Sequence, residues 1–302
     1  MFKVRAVFAP KETPPAGVHA WSDGTRVAIV SSPRGEEAES FPVWFSEDGS
    51  AFVEGKLDFS AANVEYLNEF SGPTAAPRGR LFKYRNSRVF EARLGRDVTF
   101  SPLFEIPDSR EFQASAITVT DGKSGLWLGG HKAADSAYGW LYASGDDGKS
   151  WTRVAAKLPG AVAALFPSDA GVLALVYRSV IKVAGGDPTE LAKFKDVVTN
   201  VHVDERGLFG FGETFTAFVA PGKKAKYGKF LGDADRTKRS TVVHHKGSFV
   251  MAARGGLHSS SDALGWEPIA GWDTSCSVRS LVPCGVGVLA VTQDARAFVV
   301  SP

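Results

Sequence analysis

The side chains able to do chemistry are scattered along this chain. His244 and His245 adjoin in a segment of alternating pattern. In an extended strand their side chains point to opposite faces, so they cannot share one metal ion. Cys276 and Cys284 bracket a strand-like stretch that holds them about 26 Å apart when extended, beyond disulfide reach, so both are expected as free thiols. No Cys/His spacing is that of a zinc site, so no metal and no cofactor is expected. Gly207, Gly210 and Gly212 sit in strand-like sequence with no helix after them, which removes the dinucleotide reading. Carboxylates are plentiful, among them Glu36, Glu37, Asp108, Glu111, Asp135 and Asp273. Hydrolysis by a carboxylate pair needs two of them set across a cleft, and spacing brings no two together. Catalysis is the less favoured reading, and no catalytic residue is assigned.

Charge is more informative. Residues 223–246 hold Lys223, Lys224, Lys226, Lys229, Arg236, Lys238, Arg239 and Lys246 against Asp233 and Asp235, with Tyr227 and Phe230 among them. Such a basic patch can dock on an acidic protein, or less favourably on nucleic acid. The plainer reading is a solvated outer strand whose lysines guard its edge against pairing.

These residues have to be positioned by elements, and the elements read as β. The chain has 302 residues, 44% hydrophobic and 11% aromatic, with 32 Gly and 16 Pro. That is too apolar for disorder and long enough for one large all-β domain. A net charge of +2 gives no global reason to expect nucleic acid or a membrane. No apolar run reaches the roughly 18–20 residues of a membrane helix. The opening residues lack the apolar core of a secretory signal, so a cytoplasmic location is expected. Glycine followed by an apolar run recurs at Gly125, Gly171, Gly207, Gly247 and Gly287, roughly 40 residues apart, the period of a propeller blade. Each run follows a short alternating segment and precedes two more candidate strands. Blades of four short strands then fall near 15–59, 60–107, 108–159, 160–195, 196–233 and 234–271. Residues 272–302 supply three strands of a last blade, and the orphan N-terminal strand at 2–9 supplies the fourth. The expected fold is one all-β domain, a seven-bladed β-propeller closed by its N-terminal strand, with six blades as the alternative count.

One segment carries a motif. Ser144, Asp146, Gly148 and Trp151 match S-x-D-x-G-x-x-W after the strand GWLYA. Shorter relatives run from Ser46 through Asp48 to Phe52, and from Ser260 through Asp262 to Trp266. All three are expected between the third and fourth strands of a blade. Asp146 suits a tight turn whose amides it accepts, and Gly148 permits a positive φ. Here the chain resembles the Asp-box (BNR) repeat of sialidase-like propellers. The resemblance covers about one blade and implies a structural staple. A sialidase would also carry an early Arg-Ile-Pro signature. Phe104-Glu105-Ile106-Pro107 has Glu where that Arg belongs, and no catalytic residue carries over. The pair Trp272-Asp273 resembles the WD dipeptide of WD40-like propellers, but it occurs once.

The second-to-third-strand loops and the blade-to-blade connections of a propeller share one face. Polar insertions at 32–40, 107–112, 131–139, 233–239 and 271–276 are expected there, with Arg34, Arg110, Phe112, His131, Tyr138, Trp272 and Asp273 as candidate binding residues. Aromatics mixed with both charges suit protein recognition. The sequence therefore reads as a non-catalytic, monomeric interaction scaffold for another protein. A carbohydrate-active propeller, hydrolytic or lectin-like, is the alternative.

Overall fold

The computed structural model describes every residue except 1, 12–17, 32–39, 61–73, 77–78, 86–87, 109, 121–124, 169–170, 185–186, 213, 229–241 and 254–255. The candidates Arg34, Lys229, Arg236, Lys238 and Arg239 lie outside the described residues. So do most of the insertions at 32–40 and 233–239.

The strands follow one another as short hairpins. After β1 (Lys3–Phe8), the first blade has β2 (Val18–Ser22), β3 (Val27–Ser31), β4 (Ser40–Ser46) and β5 (Val53–Asp58). The second has β6 (Thr74–Ala76), β7 (Arg80–Arg85), β8 (Arg88–Arg93) and β10 (Ser101–Glu105), while the two-residue β9 (Val98–Thr99) between the last two belongs to the sheet of the first blade. The third has β11 (Phe112–Thr120), β12 (Gly125–Lys132), β13 (Asp135–Ser144) and β14 (Thr152–Leu158). The fourth has β15 (Val162–Ser168), β16 (Gly171–Val176), β17 (Ser179–Val183) and β18 (Thr189–Lys193). The fifth has β19 (Val198–Asp204), β20 (Gly207–Gly212), β21 (Thr216–Val219) and β22 (Lys226–Tyr227). The sixth has β23 (Val242–His245), β24 (Ser248–Ala253), β25 (Gly256–Ser260) and β26 (Glu267–Pro268). The seventh has β27 (Val278–Cys284), β28 (Gly287–Thr292) and β29 (Ala297–Ser301).

Among the described residues these strands form seven small sheets, six of four strands and one of five. This is the arrangement of a seven-bladed β-propeller. The last sheet has the order β1-β29-β28-β27, with Lys3 opposite Ser301 and Ala6 opposite Phe298. The N-terminal strand thus completes the C-terminal blade. No helix in the described residues is long and apolar enough to cross a membrane.

The chain forms two compact units, one of Met1–Leu81, Glu91–Pro102 and Lys229–Pro302, the other of Phe82–Phe90 and Leu103–Gly228. In the first, one core layer joins Val243, Val250 and Leu257 to Leu281, Val288 and Val300. A second joins Val18, Val27 and Ile29 to Leu289, Val291 and Val299. In the second unit, Leu141 and Leu158 of the third blade meet Val162, Ala174 and Ile181 of the fourth. The other side of that blade, with Leu173, Leu175 and Val180, meets Val201, Leu208 and Phe215. The fourth and seventh sheets are apolar on both faces because a neighbouring sheet covers each, which is why their second strands read as unbroken apolar runs.

The recurring glycine has a physical cause. Gly171 and Gly287 open the second strands of their blades at φ +148° and +154°. A Cβ there would lie 2.1 Å from the Val183 carbonyl oxygen and 2.5 Å from that of Val300, respectively. Only glycine meets both demands.

The first blade has an addition. β9 pairs in parallel with β5, Leu57 opposite Val98. Arg96 Nε donates to the Glu54 carbonyl at 2.9 Å, and a Cβ on Gly55 would sit 2.0 Å from the Arg96 carbonyl oxygen. The outer edge of this sheet is thereby covered, which protects it from pairing with another chain.

Candidate functional site

In an antiparallel four-strand meander, the turn between strands two and three lies at the same end as the entry and exit of the sheet. The one-to-two and three-to-four turns lie at the other end. The two ends of the blades differ in what their polar groups are doing.

The three-to-four turns are consumed by local bonding. The Ser144 hydroxyl donates to Asp146 Oδ1 at 2.7 Å and accepts the Gly148 amide at 2.8 Å. Asp146 also accepts the Ser150 amide at 2.9 Å and the Ser150 hydroxyl at 2.6 Å. Trp151 Nε1 donates to the Gly148 carbonyl at 3.1 Å, and its ring lies 4.8 Å from that of Phe104. The Ser150 hydroxyl, then its amide, then Ser144 lower the Asp146 carboxyl from 3.8 to about 2. Gly49 N–H to Ser46 Oγ at 2.9 Å repeats the theme between β4 and β5. Ser260 Oγ to Asp262 at 3.0 Å repeats it between β25 and β26. Lys223 and Lys224 belong to the β21–β22 turn, at this same end.

At the opposite end of the third blade, the connection 107–112 is pinned from below. The Tyr142 hydroxyl donates to Asp108 Oδ2 at 2.8 Å, and the Phe112 amide donates to the Asp108 carbonyl at 2.9 Å. Burial, then the Asp108 carboxylate, push the Tyr142 phenol up to about 12, so it is a donor and not a nucleophile at neutral pH. The Ala133 amide donates to the Glu111 carbonyl at 2.7 Å and ties the β12–β13 turn to the same connection. Arg110 is exposed here and His131 half-buried, while Tyr138 is 45% exposed. The structure brings these three to one end of one blade.

Two candidates are corrected. Phe112 is 2% exposed, its ring parallel to Trp140 at 6.2 Å and tilted on Tyr142 at 4.9 Å. Trp272 is 8% exposed and meets Phe298 edge-on at 5.1 Å. Both are core side chains, because each sits where a connection enters a sheet and an aromatic of that sheet covers it. Asp273 is exposed, with its carboxylate accepting the Ser275 amide at 3.0 Å. Cys276 and Cys284 are buried and unbridged.

The sequence reading missed the most exposed aromatic among the described residues. Tyr177, at the β16–β17 turn, is 59% exposed at φ +54°. Its carbonyl accepts the Val198 amide at 3.2 Å, and the Arg178 carbonyl accepts Phe194 N–H at 2.8 Å. The turn is thus bolted to the β18–β19 connection, where Val197 is also exposed. Arg178 lies with Cζ 5.3 Å from the Tyr177 ring centre and donates to the Lys195 carbonyl at 3.4 Å. Lys195 Nζ lies 4.7 Å from the Tyr227 ring centre. Tyr227 in turn meets Phe215 edge-on at 5.6 Å. Successive side chains on β22 point to opposite faces, so Tyr227 joins this cluster and Lys226 turns away from it. Among the described residues of the basic run, Lys223 and Lys224 lie in the turn at the other end and Tyr227 reaches this one. The signal available in the sequence was a tyrosine in a two-residue hairpin turn, where glycine or asparagine is usual.

Solved structures of similar shape are known. A catalytically inactive virginiamycin B lyase from Staphylococcus aureus, solved with quinupristin, matches with TM-score 0.65 at 11% identity over 100% of each chain. YCF48 bound to D1 peptide matches with TM-score 0.60 at 12% identity, covering 98% of this chain and 95% of that one. BamB from Moraxella catarrhalis matches with TM-score 0.52 at 12% identity, covering 98% and 85%. The shared property is the fold. No protein-family model and no curated protein sequence matches the chain. A lyase and a peptide-bound protein both use this architecture, so the fold does not choose between catalysis and binding.

Proposed function

We propose that this protein is a non-catalytic binding module that holds another protein on the strand-entry end of its third to fifth blades. One observation carries the reading. Tyr177 and Val197 are exposed on two connections whose backbones are hydrogen-bonded to each other, and the exposed Tyr227 accepts the Lys195 amide of the second through its hydroxyl. Tyrosine and arginine on a rigid support are what protein interfaces concentrate, because they offer large contact area at low entropic cost. That YCF48 has been solved with a peptide supports such a use of the fold. The Asp-box reading of residues 144–151 belongs to the same proposal. Its polar groups are used up inside a hairpin, which leaves recognition to the other end.

The test is a pull-down of the tagged full chain from its source cells at about 0.15 M salt, where exposed charges are already screened beyond roughly 8 Å. Wild type is compared with the double variant Tyr177→Ala/Val197→Ser. A stoichiometric protein held by wild type and lost from the variant supports the site. A partner held equally by both removes it.

A further inference from the structure

The partner segment can be given a chemistry. Resting on the reading above, we propose that the cluster around Tyr177 and Lys195 receives an acidic stretch of polypeptide carrying one large apolar side chain. The first reason is unspent charge. Arg178, Lys193 and Lys195 take part in no ion pair among the described residues. Some arginines elsewhere are matched, Arg26 to Asp23 at 2.6 Å, Arg206 to Asp204 at 2.6 Å and Arg296 to Asp294 at 2.7 Å. The carboxylates near the cluster are engaged otherwise. Asp196 accepts the Val197 amide at 2.8 Å and the Thr214 hydroxyl at 3.5 Å, and Glu190 accepts the Ser179 hydroxyl at 2.7 Å. Three cations therefore stand beside two exposed carboxylates, Asp196 and Glu190.

The second reason is the backbone at Tyr177. A bulky side chain at φ +54° is disfavoured in any turn, and a disfavoured conformation held by surrounding hydrogen bonds is what functional turns tend to carry. Tyr177 and Val197 are both exposed on segments joined by the Val198 amide to the Tyr177 carbonyl, and the pair offers an apolar seat.

The third reason separates protein from nucleic acid. Single-stranded nucleic acid needs open aromatic faces for base stacking along a basic track. Here one face of Tyr177 carries the Arg178 guanidinium and one face of Tyr227 carries the Lys195 ammonium. An aliphatic Val197 completes the seat. Carboxylates can reach the outer sides of those cations, while an apolar side chain rests between Tyr177 and Val197.

The experiment selects a phage-displayed library of random peptides, about a dozen residues long, on the immobilised full chain near 0.15 M salt. Labelled versions of the winners are then titrated by fluorescence anisotropy. The expected winners are net negative with at least one large apolar residue. They should weaken about tenfold or more, an easily resolved change, with Tyr177→Ala and with Arg178→Glu/Lys195→Glu. Circular dichroism melts confirm that each variant is folded. Neutral or basic winners that Tyr177→Ala weakens and the charge reversal does not would overturn the acidic chemistry and leave the interface standing. Winners indifferent to Tyr177→Ala, or no winners at all, would remove both. An oligothymidylate that binds more tightly than any winner and displaces it would replace the peptide with nucleic acid.

Discussion

The Lys195 amide donates to the Tyr227 hydroxyl at 2.8 Å, and the Lys195 ammonium lies 4.7 Å from the centre of the same ring. One tyrosine on the outer strand of the fifth blade thus holds both ends of a lysine in the connection leaving the fourth. Tyr227→Phe should remove one exposed hydrogen bond and cost no more than about 1 kcal/mol. Tyr227→Ala also loses the Phe215 contact and the cation–π contact, for a total of about 1–2 kcal/mol. Urea unfolding separates the two. Equal losses would show that the ring contributes nothing.

The Ser–Asp turns give the fold an acid limit. Asp146 is held at about 2, below its ordinary 3.8, by the Ser150 hydroxyl, then the Ser150 amide, then Ser144. Asp58 is held at about 2 by the Ser60 hydroxyl, then the Ser60 amide, then Lys56. A carboxyl whose pKa falls on folding contributes stability that is present above its unfolded value and lost as pH drops through the folded one. Urea midpoints should therefore decline between the ordinary value of 3.8 and about 2. Asp146→Asn should lower stability at neutral pH and flatten that decline. Parallel profiles for wild type and variant would show that Asp146 does not contribute.

Gly55 sits under the Arg96 carbonyl, 2.0 Å from where a Cβ would be. Gly55→Val should push the 95–99 segment off the outer strand of the first blade, at a cost of about 1–3 kcal/mol. Amide hydrogen exchange should quicken at Val98 and Thr99. Unchanged protection there would mean that the segment accommodates the side chain.

Removal of residues 2–9 should leave the last blade with three strands. Phe2 and Val4 would uncover the layer of Val288 and Val300, and Phe8 would leave the ring of Trp44 at 5.3 Å. A large fall in thermal stability is expected, with aggregation through the freed β29 edge. The peptide FKVRAVFA added in trans should restore part of it by strand addition. A truncated chain as stable as the full one would contradict the pairing of Lys3 with Ser301.

Much of the architecture could be read from local pattern. Runs such as GVLALV and GVLAVT, each led by a glycine, mark the second strands, because a strand covered on both faces is apolar throughout and its first residue must clear a carbonyl on the next strand. The turn at Ser144 was legible for the same reason: its bonds join residues within a few positions of one another. The unpaired alternating stretch at 2–9 and a last blade short of one strand pointed to each other.

Exposure was not legible. Phe112 and Tyr138 stand in similar polar connections, yet Phe112 lies under Trp140 while Tyr138 faces water. A register shift between Ala114 and Ala116 changes the alternation just after Phe112, and only the partner strand reveals such a shift. Trp272 is covered by Phe298, a residue of the following blade. The two-residue β9 gains its meaning from β5, some forty residues earlier in the chain. Arg178 and Tyr227 meet the same lysine from two different sheets. Amino-acid order thus determined the strands, the glycines and the turns, because those depend on φ and on near neighbours. Packing of one sheet on the next decided which aromatics face water, because that depends on side chains far apart in sequence.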